Sequence, residues 1–464
     1  MRSKHARRSK ATKSGANNPC ATKPNSEPQS CGGTGFLAAL GERLGPPWQP
    51  AVPKRRGRKP RVALFNVVAT LIFHCMNSTG TMREHFAMLF ADALNDSSCS
   101  ARRARLPWEV FAELMRRVLR PLAQPRRHPE AYWRGWRLVA LDGTQHSLTN
   151  TPQNLEALPK AKARRGRAAF AKITTSVLLE LGLHNPLAAA IGRKGQSEWE
   201  LSLSLLAQLP KQVLLLADRL SGCAVFAAAA LQACRRVGSH FLFRARTQIK
   251  VQRVRRFKDG SRLVRVPVRQ KGRPREIVEW LELREIRVYL QRKGFRTIEL
   301  RLWTTLLKPQ AAPALELTAL YAQRWEHELF YRELKRQLRK SALLQSHTLT
   351  TAAQEIAALL VAAALLARER DRAAAGLVPV LRVSFVKLLE LMRPLWLVLA
   401  LGDDLLSERQ KQQLTQRFYE QARACLSPKR RLRSCPRKVR QPVSGWPRLL
   451  KNESWDVPVT FQLA

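Results

Sequence analysis

Two short apolar runs in the middle of the chain each stop at an aspartate, and together they constrain the fold more than any other feature. Residues 137–141 lead into Asp142-Gly143, and residues 213–217 lead into Asp218. A short apolar run bounded by polar turn residues reads as a buried strand. Around these two, residues 170–181 and 187–191 read as further strands, 198–209 as an amphipathic helix, 223–235 as an Ala-rich helix and 240–243 as another strand. Strand–helix alternation predicts an α/β sheet core. Ligand sites in open α/β sheets gather beyond the carboxyl ends of strands, so two aspartates on neighbouring strands are candidates to share a metal ion. Either aspartate alone carries little, because Asp is common wherever a strand turns into a loop.

The flanks differ in texture. Residues 1–61 are poor in apolar residues and read as a basic, disordered tail. The tail ends in Lys54-Arg55-Arg56-Gly57-Arg58-Lys59-Pro60-Arg61, a solvated linker suited to phosphate contact. Residues 62–123 show helical periodicity with Arg102, Arg103, Arg105, Arg116, Arg117 and Arg120 decorating the second half, a small helical unit with a basic face. Pro121, Pro125 and Pro129 mark a boundary there, and a catalytic unit is expected over residues 130–375. Within it, residues 246–300 alternate Val, Ile and Leu with Arg and Lys around a turn at Asp259-Gly260, predicting a basic, mostly antiparallel β insertion. Helices are expected over 314–345 and 351–375. Residues 376–464 are read as helical to about residue 424 and then basic.

Charge narrows the function class. The 82 Lys and Arg residues against 34 Asp and Glu residues give a formal net charge of +48, which would strain a compact fold unless a polyanion neutralises it. Nucleic acid fits that need. A membrane surface is the rival, but the longest apolar run, residues 356–367, is short for a bilayer core of about 30 Å and reads as a buried helix. The basic N-terminus has no apolar segment behind it, so a secretory signal is not expected. Eight cysteines lack any C-x-x-C pairing, as reduced thiols of a cytosolic protein would, and a structural zinc site is not expected. No P-loop is present in the sequence, so ATP dependence is not expected either.

The third carboxylate lies in a more specific setting. In the segment from Tyr321 to Lys335, the residues Tyr321, Arg324, Glu328 and Lys335 fall within a sector of roughly 60° on a helix turning about 100° per residue. Glu326 and Glu333 point away from that face and read as solvated or salt-bridged surface residues. A bland ion-pair ladder explains Arg324 with Glu328, but not why this face follows two strand-end aspartates. Carboxylates from two strands and a helix suit two divalent ions, one activating an attacking oxygen and one stabilising the leaving oxygen of a phosphodiester. The flanking Arg, Lys and Tyr suit the nucleic-acid backbone. His146, close to Asp142, reads as an ordinary neighbour rather than a ligand.

The spacing of Tyr, two residues, Arg, three residues, Glu, six residues, Lys resembles the YREK signature of insertion-sequence-4-type DDE transposases. The Leu141-Asp142-Gly143-Thr144 and Ala217-Asp218-Arg219 segments are similar to that family's two Asp motifs, and the likeness covers roughly residues 55–370. It implies an RNase H-like catalytic core with a β-strand insertion, plus helical N-terminal and C-terminal regions, the N-terminal one (62–125) a DNA-binding domain. It further implies Asp142, Asp218 and Glu328 as the metal-binding catalytic triad, holding two Mg2+ or Mn2+ ions. Tyr321, Arg324 and Lys335 would position the scissile phosphate, Arg219 and Lys335 would contact the backbone, and Trp303 would either stack a flipped base, if a hairpin intermediate forms, or be an ordinary core residue. The implied partners are double-stranded DNA, as terminal inverted repeats and target, and a second copy of the chain. Two readings use the same residues otherwise: a structure-specific endonuclease that never joins ends, and a domesticated protein that only binds DNA.

Overall fold

The computed structural model describes residues 35–45, 48, 62–77, 79–163, 166–270, 273–290, 298–339 and 341–428. The basic run at residues 54–61 and the basic C-terminal residues beyond 428 lie outside the described residues.

Five strands make the core: β1 (Trp136–Ser147), β2 (Lys172–Glu180), β3 (Asn185–Ile191), β4 (Val213–Ala217) and β5 (His240–Arg244). They lie in the order β3-β2-β1-β4-β5, with β1, β4 and β5 parallel and β2 antiparallel to its neighbours β1 and β3. This is the RNase H-like arrangement. β4 is buried along its whole length, which is why it reads as an unbroken apolar run rather than an alternation. Its side chains still alternate between two cores: Val213, Leu215 and Ala217 face one, Leu214 and Leu216 the other. The first core is closed by α6 (Glu198–Leu205) and α7 (Ala224–Arg236), the second by the long helix α10 (Leu349–Ala374).

The β insertion follows β5 and extends the same sheet. β6 (Gln252–Arg256), β7 (Arg262–Gln270), β8 (Arg273–Leu290) and β9 (Ile298–Thr304) pair antiparallel in the order β9-β8-β7-β6 outward from β5. The expected antiparallel insertion is thus present, as a continuation of the core sheet.

Helix α1 (Phe36–Leu44) lies inside the segment expected to be a disordered tail, and it corrects that expectation. Phe36, Leu40 and Leu44 are buried in the main core, so these few apolar residues suffice for one docked helix. The helices α2 (Leu64–Met76), α3 (Met82–Phe90), α4 (Asp96–Ala104) and α5 (Trp108–Val118) form the expected helical region. Of these, α2, α3 and α5 share a continuous hydrophobic cluster with α10 and with α11 (Phe385–Leu401) and α12 (Glu408–Ala424). The proline boundary is also tied down. Glu180, fully buried on β2, accepts the backbone N–H groups of Leu122 and Ala123 at 3.1 Å each and pairs with Arg137. α10 is long and apolar enough to cross a membrane by length and composition, but 83% of that stretch is buried inside the molecule, as expected for residues 356–367.

Candidate active site

The parallel pairing of β1 with β4 ends at Leu141 opposite Ala217, so Asp142 and Asp218 emerge side by side where the two strands part. β1 does not stop at Asp142 as its apolar run suggested. It continues to Ser147 because β2 keeps pairing with it on the other side, Asp142 opposite Val177 and Ser147 opposite Lys172. Asp142 therefore sits at a fork in the sheet, half-buried, with its backbone held extended. Asp218 begins a turn, its Oδ1 accepting the Leu220 N–H at 2.7 Å.

The signature segment packs over this fork. It is one continuous run made of α8 (Ala314–Tyr321), a 3-10 turn (Ala322–Arg324), α9 (Trp325–Arg332) and a π-helical turn (Glu333–Leu338). Irregular turns of this kind recur at functional sites, and they could not be read from a uniform 100° repeat. Tyr321 Oη donates to the carbonyl of Ala217 at 3.2 Å, Tyr331 Oη to that of Asp142 at 2.7 Å, and Lys335 Nζ to that of Gln145 at 2.7 Å. Three side chains thus fasten the helix to the two strands that carry the aspartates. Tyr331 was not singled out from the sequence, where it is one aromatic among several. Between these anchors Arg324 bridges two carboxylates, Nη1 to Asp142 Oδ2 at 3.3 Å and Nη2 to Glu328 Oε1 at 2.6 Å. Asp142, Asp218, Tyr321, Arg324 and Glu328 are therefore brought to one place, with Lys335 meeting β1 three residues further along.

A further carboxylate joins them. Glu198 stands in the first turn of α6, placed there by the Ser197–Glu200 capping box. Its carboxyl lies against Gly143, where an added Cβ would fall 2.2 Å from Glu198 Cδ. The sequence signal was only an acidic residue in a first helical turn, which usually answers to the helix dipole. We expect Gly143→Ala to displace Glu198 or the Asp142 backbone and to reduce metal-dependent cleavage by roughly a hundredfold, the usual cost of an ångström-scale misplacement. Cleavage at the wild-type rate by Gly143→Ala would show that the close approach is irrelevant to the chemistry.

Electrostatics match the crowding. Burial, then the neighbouring charge of Asp218, push the Asp142 carboxyl from 3.8 up to about 7, against the opposing pull of Arg324 and the Gly143 N–H. Burial and Asp218 also raise Glu198. Burial, then Arg339 and Lys172, push the Lys335 ammonium down to about 8. Carboxylate oxygens crowded in this way are hard donors suited to Mg2+ or Mn2+, so the residues fit a divalent-metal centre. Among the described residues no three acidic, His or Cys groups already stand in metal-holding geometry. Glu328 is instead held by Arg324.

Of the two remaining expected site residues, one stays at the site and one does not. Arg219 is exposed beside Asp218, open to a backbone contact. Trp303 is fully buried on β9, its indole N–H on Glu285 Oε2 at 3.2 Å, beside Arg301. It has no free face for a flipped base and is the ordinary core residue of the two readings, not a stacking one. Glu326 and Glu333 are salt-bridged rather than solvated, both to His184, and they are partly buried rather than on the surface. His146 is buried, and neither of its ring nitrogens has a hydrogen-bond partner among the described residues, so it is not the satisfied neighbour expected.

The RNase H-like sheet thus carries paired aspartates at its fork and a glutamate on the covering helix, the arrangement expected of a DDE-type core. The model for the transposase DDE domain matches residues 133–366, and the chain belongs to that family. It is 28% identical over 257 residues to the transposase InsG for insertion sequence element IS4 of Escherichia coli (strain K12), a match covering 54% of this chain and 56% of that protein. The chain thus spans a little over half the length of that relative. Among solved structures, the cryo-EM structure of the piggyBac transposase synaptic complex with hairpin DNA aligns with a TM-score of 0.42 and 8% identity, over 79% of each chain. Members of the DDE family work with divalent metal ions.

Proposed function

We propose that this chain is a DNA transposase that cuts at the ends of its element and joins them to target DNA. The single observation that carries this reading is the β1–β4 register, which sets Asp142 beside Asp218 with Glu328 linked to Asp142 through one guanidinium. Asp142, Asp218 and Glu328 would hold two divalent ions, Mg2+ or Mn2+, which when bound activate the attacking oxygen and stabilise the leaving one. Arg324 has five N–H donors in a rigid fork, suited to phosphate oxygens as well as to the two carboxylates it bridges. Lys335, about three turns further along the same segment, and exposed Arg219 add positive charge where a DNA strand would pass. Tyr321 orients the end of β4 and so the Asp218 backbone.

Double-stranded DNA is the partner in this reading, as terminal inverted repeats and as target. The exposed Arg253, Arg255, Arg256 and Arg265 of the insertion continue the basic surface outward. Two copies of the chain would pair the two ends, on the nucleoid of a bacterial cytoplasm. A strand-transfer assay tests the reading: DNA carrying the element's own ends is incubated with supercoiled target and Mn2+. Joined products are expected. Cleaved ends that never become joined would identify a plain endonuclease instead.

A further inference from the structure

On the side of the signature helix away from Glu328, one buried histidine grips two glutamates. His184 lies in the turn between β2 and β3, in the left-handed region at φ 53°, a conformation that is uncommon outside glycine and that points to a constraint imposed by the surroundings. Its Nε2 meets Glu326 Oε2 at 3.0 Å and its Nδ1 meets Glu333 Oε2 at 2.6 Å. Glu333 also receives Arg370 Nη1 from α10 at 3.3 Å, and Arg370 donates to the carbonyls of Val383 at 2.7 Å and Leu381 at 3.0 Å. His327 and Phe330 of the same helix complete the surroundings of the ring.

We propose that His184 is a positioning residue for catalysis, a clamp that fixes the rotation of the signature helix and so the place of Glu328 opposite Asp142. Glu326 and Glu333 flank Glu328 in sequence and lie seven residues apart, about two helical turns. A single imidazole holding both prevents the segment from rolling, at the junction where α9 passes into the π-helical turn. A carboxylate stands about 5–6 Å from the helix axis, so a roll of about 10° would move it by about 1 Å. Displacements of that size cost on the order of a hundredfold in rate. Apolar packing would hold two surfaces together equally well, whereas buried ionic groups must meet in one geometry to be tolerated. The protonation state agrees. Burial alone would lower the His184 pKa, but Glu333 and Glu326 outweigh it and raise it, with Arg370 opposing. The imidazolium that results can donate from both nitrogens.

This inference rests on Glu328 being the third catalytic carboxylate, and the test separates the two. Steady-state nicking of end DNA in Mn2+ is measured for His184→Gln, Glu326→Gln and Glu328→Gln of the full chain, with Mn2+ binding followed by calorimetry and the folded fraction by circular dichroism. A glutamine at 184 cannot reach both partners, and Glu326→Gln weakens one arm at a partly exposed position if the first variant folds poorly. Each is expected to lower kcat per folded molecule by roughly tenfold to a hundredfold, with KM for DNA unchanged and Mn2+ bound more weakly. A merely structural role would lower Tm and leave kcat and Mn2+ affinity alone, and that result overturns the clamp. If Glu328→Gln is inactive while both clamp variants nick at the wild-type rate, the clamp fails by itself. If Glu328→Gln nicks normally, the reading of the centre fails and the clamp falls with it.

Discussion

Asp142→Asn is expected to make the metal-free protein more stable while removing its cleavage activity. The Asp142 carboxyl is raised to about 7 by burial and by Asp218, so the folded state binds its proton more tightly than the unfolded chain does. Its favourable contribution is fully present below the ordinary value of 3.8 and is lost as pH rises through about 7. At pH 8 the wild type therefore carries a buried, repelled charge that an amide of the same shape lacks. The loss of the Arg324 contact offsets part of the gain, since Arg324 keeps Glu328 as a partner. A gain on the order of 1–2 kcal/mol, a few degrees in Tm, is expected at pH 8 and should shrink toward pH 4. Cleavage should meanwhile fall by at least about a thousandfold, a loss of roughly 4 kcal/mol or more of transition-state stabilisation. Thermal melts at pH 4, 6 and 8 check the first part. A Tm for Asp142→Asn below wild type at every pH would show that the acidic pair is structurally settled without metal.

The second large effect concerns the helices ahead of the catalytic core. A chain beginning at Arg126 should not survive as a folded nicking enzyme, although the proline-rich boundary suggests a separable unit. α10 lies between the sheet and the N-terminal helices, and its Gln354 donates to the carbonyls of Arg103 at 3.2 Å and Leu106 at 3.1 Å. Arg103 answers with bonds to Ser346 Oγ at 2.6 Å and the Thr351 carbonyl at 2.5 Å. Removing residues 1–125 also strips away Leu71, Ile72, Phe73, Phe86 and Phe111, all buried at 2% exposure or less. At about 1.5–3 kcal/mol for each large apolar side chain, this loss rivals the 5–15 kcal/mol that holds a typical domain together. The shortened chain is expected to aggregate or to melt without cooperativity. A sharp thermal transition near that of the full chain would show two independent domains.

Much of this site was legible in the sequence because its signals are local. Apolar runs interrupted by Asp142 and Asp218 mark strands leaving the core, and the Tyr321–Lys335 spacing places four polar residues near one face. What was missed depends on tertiary partners. Trp303 looks like a candidate base stacker until β8 lays Glu285 beneath its indole. Glu326 and Glu333 read as solvated or salt-bridged on a lone helix, and only the β2–β3 turn, which brings His184 to that side, names the partner. Glu198 is an ordinary first-turn acid until the lack of a side chain at Gly143 admits it to the fork. The 3-10 and π turns follow from anchoring at both ends of the helix, which no repeat in the sequence records. Helix α1 was obscured by the basic, Gly- and Pro-rich residues on both sides of it.

The most direct test of the three-carboxylate centre is the nicking rate of Glu328→Gln on DNA bearing the element's own ends, in Mn2+, with DNA binding measured on the same preparation. Glu328 is the carboxylate furthest in sequence from the other two, and it joins them only through this fold. Nicking is expected to fall by at least about a thousandfold while end binding stays within about twofold of wild type, because the residue would hold metal rather than DNA. Nicking at the wild-type rate with binding intact would contradict the account.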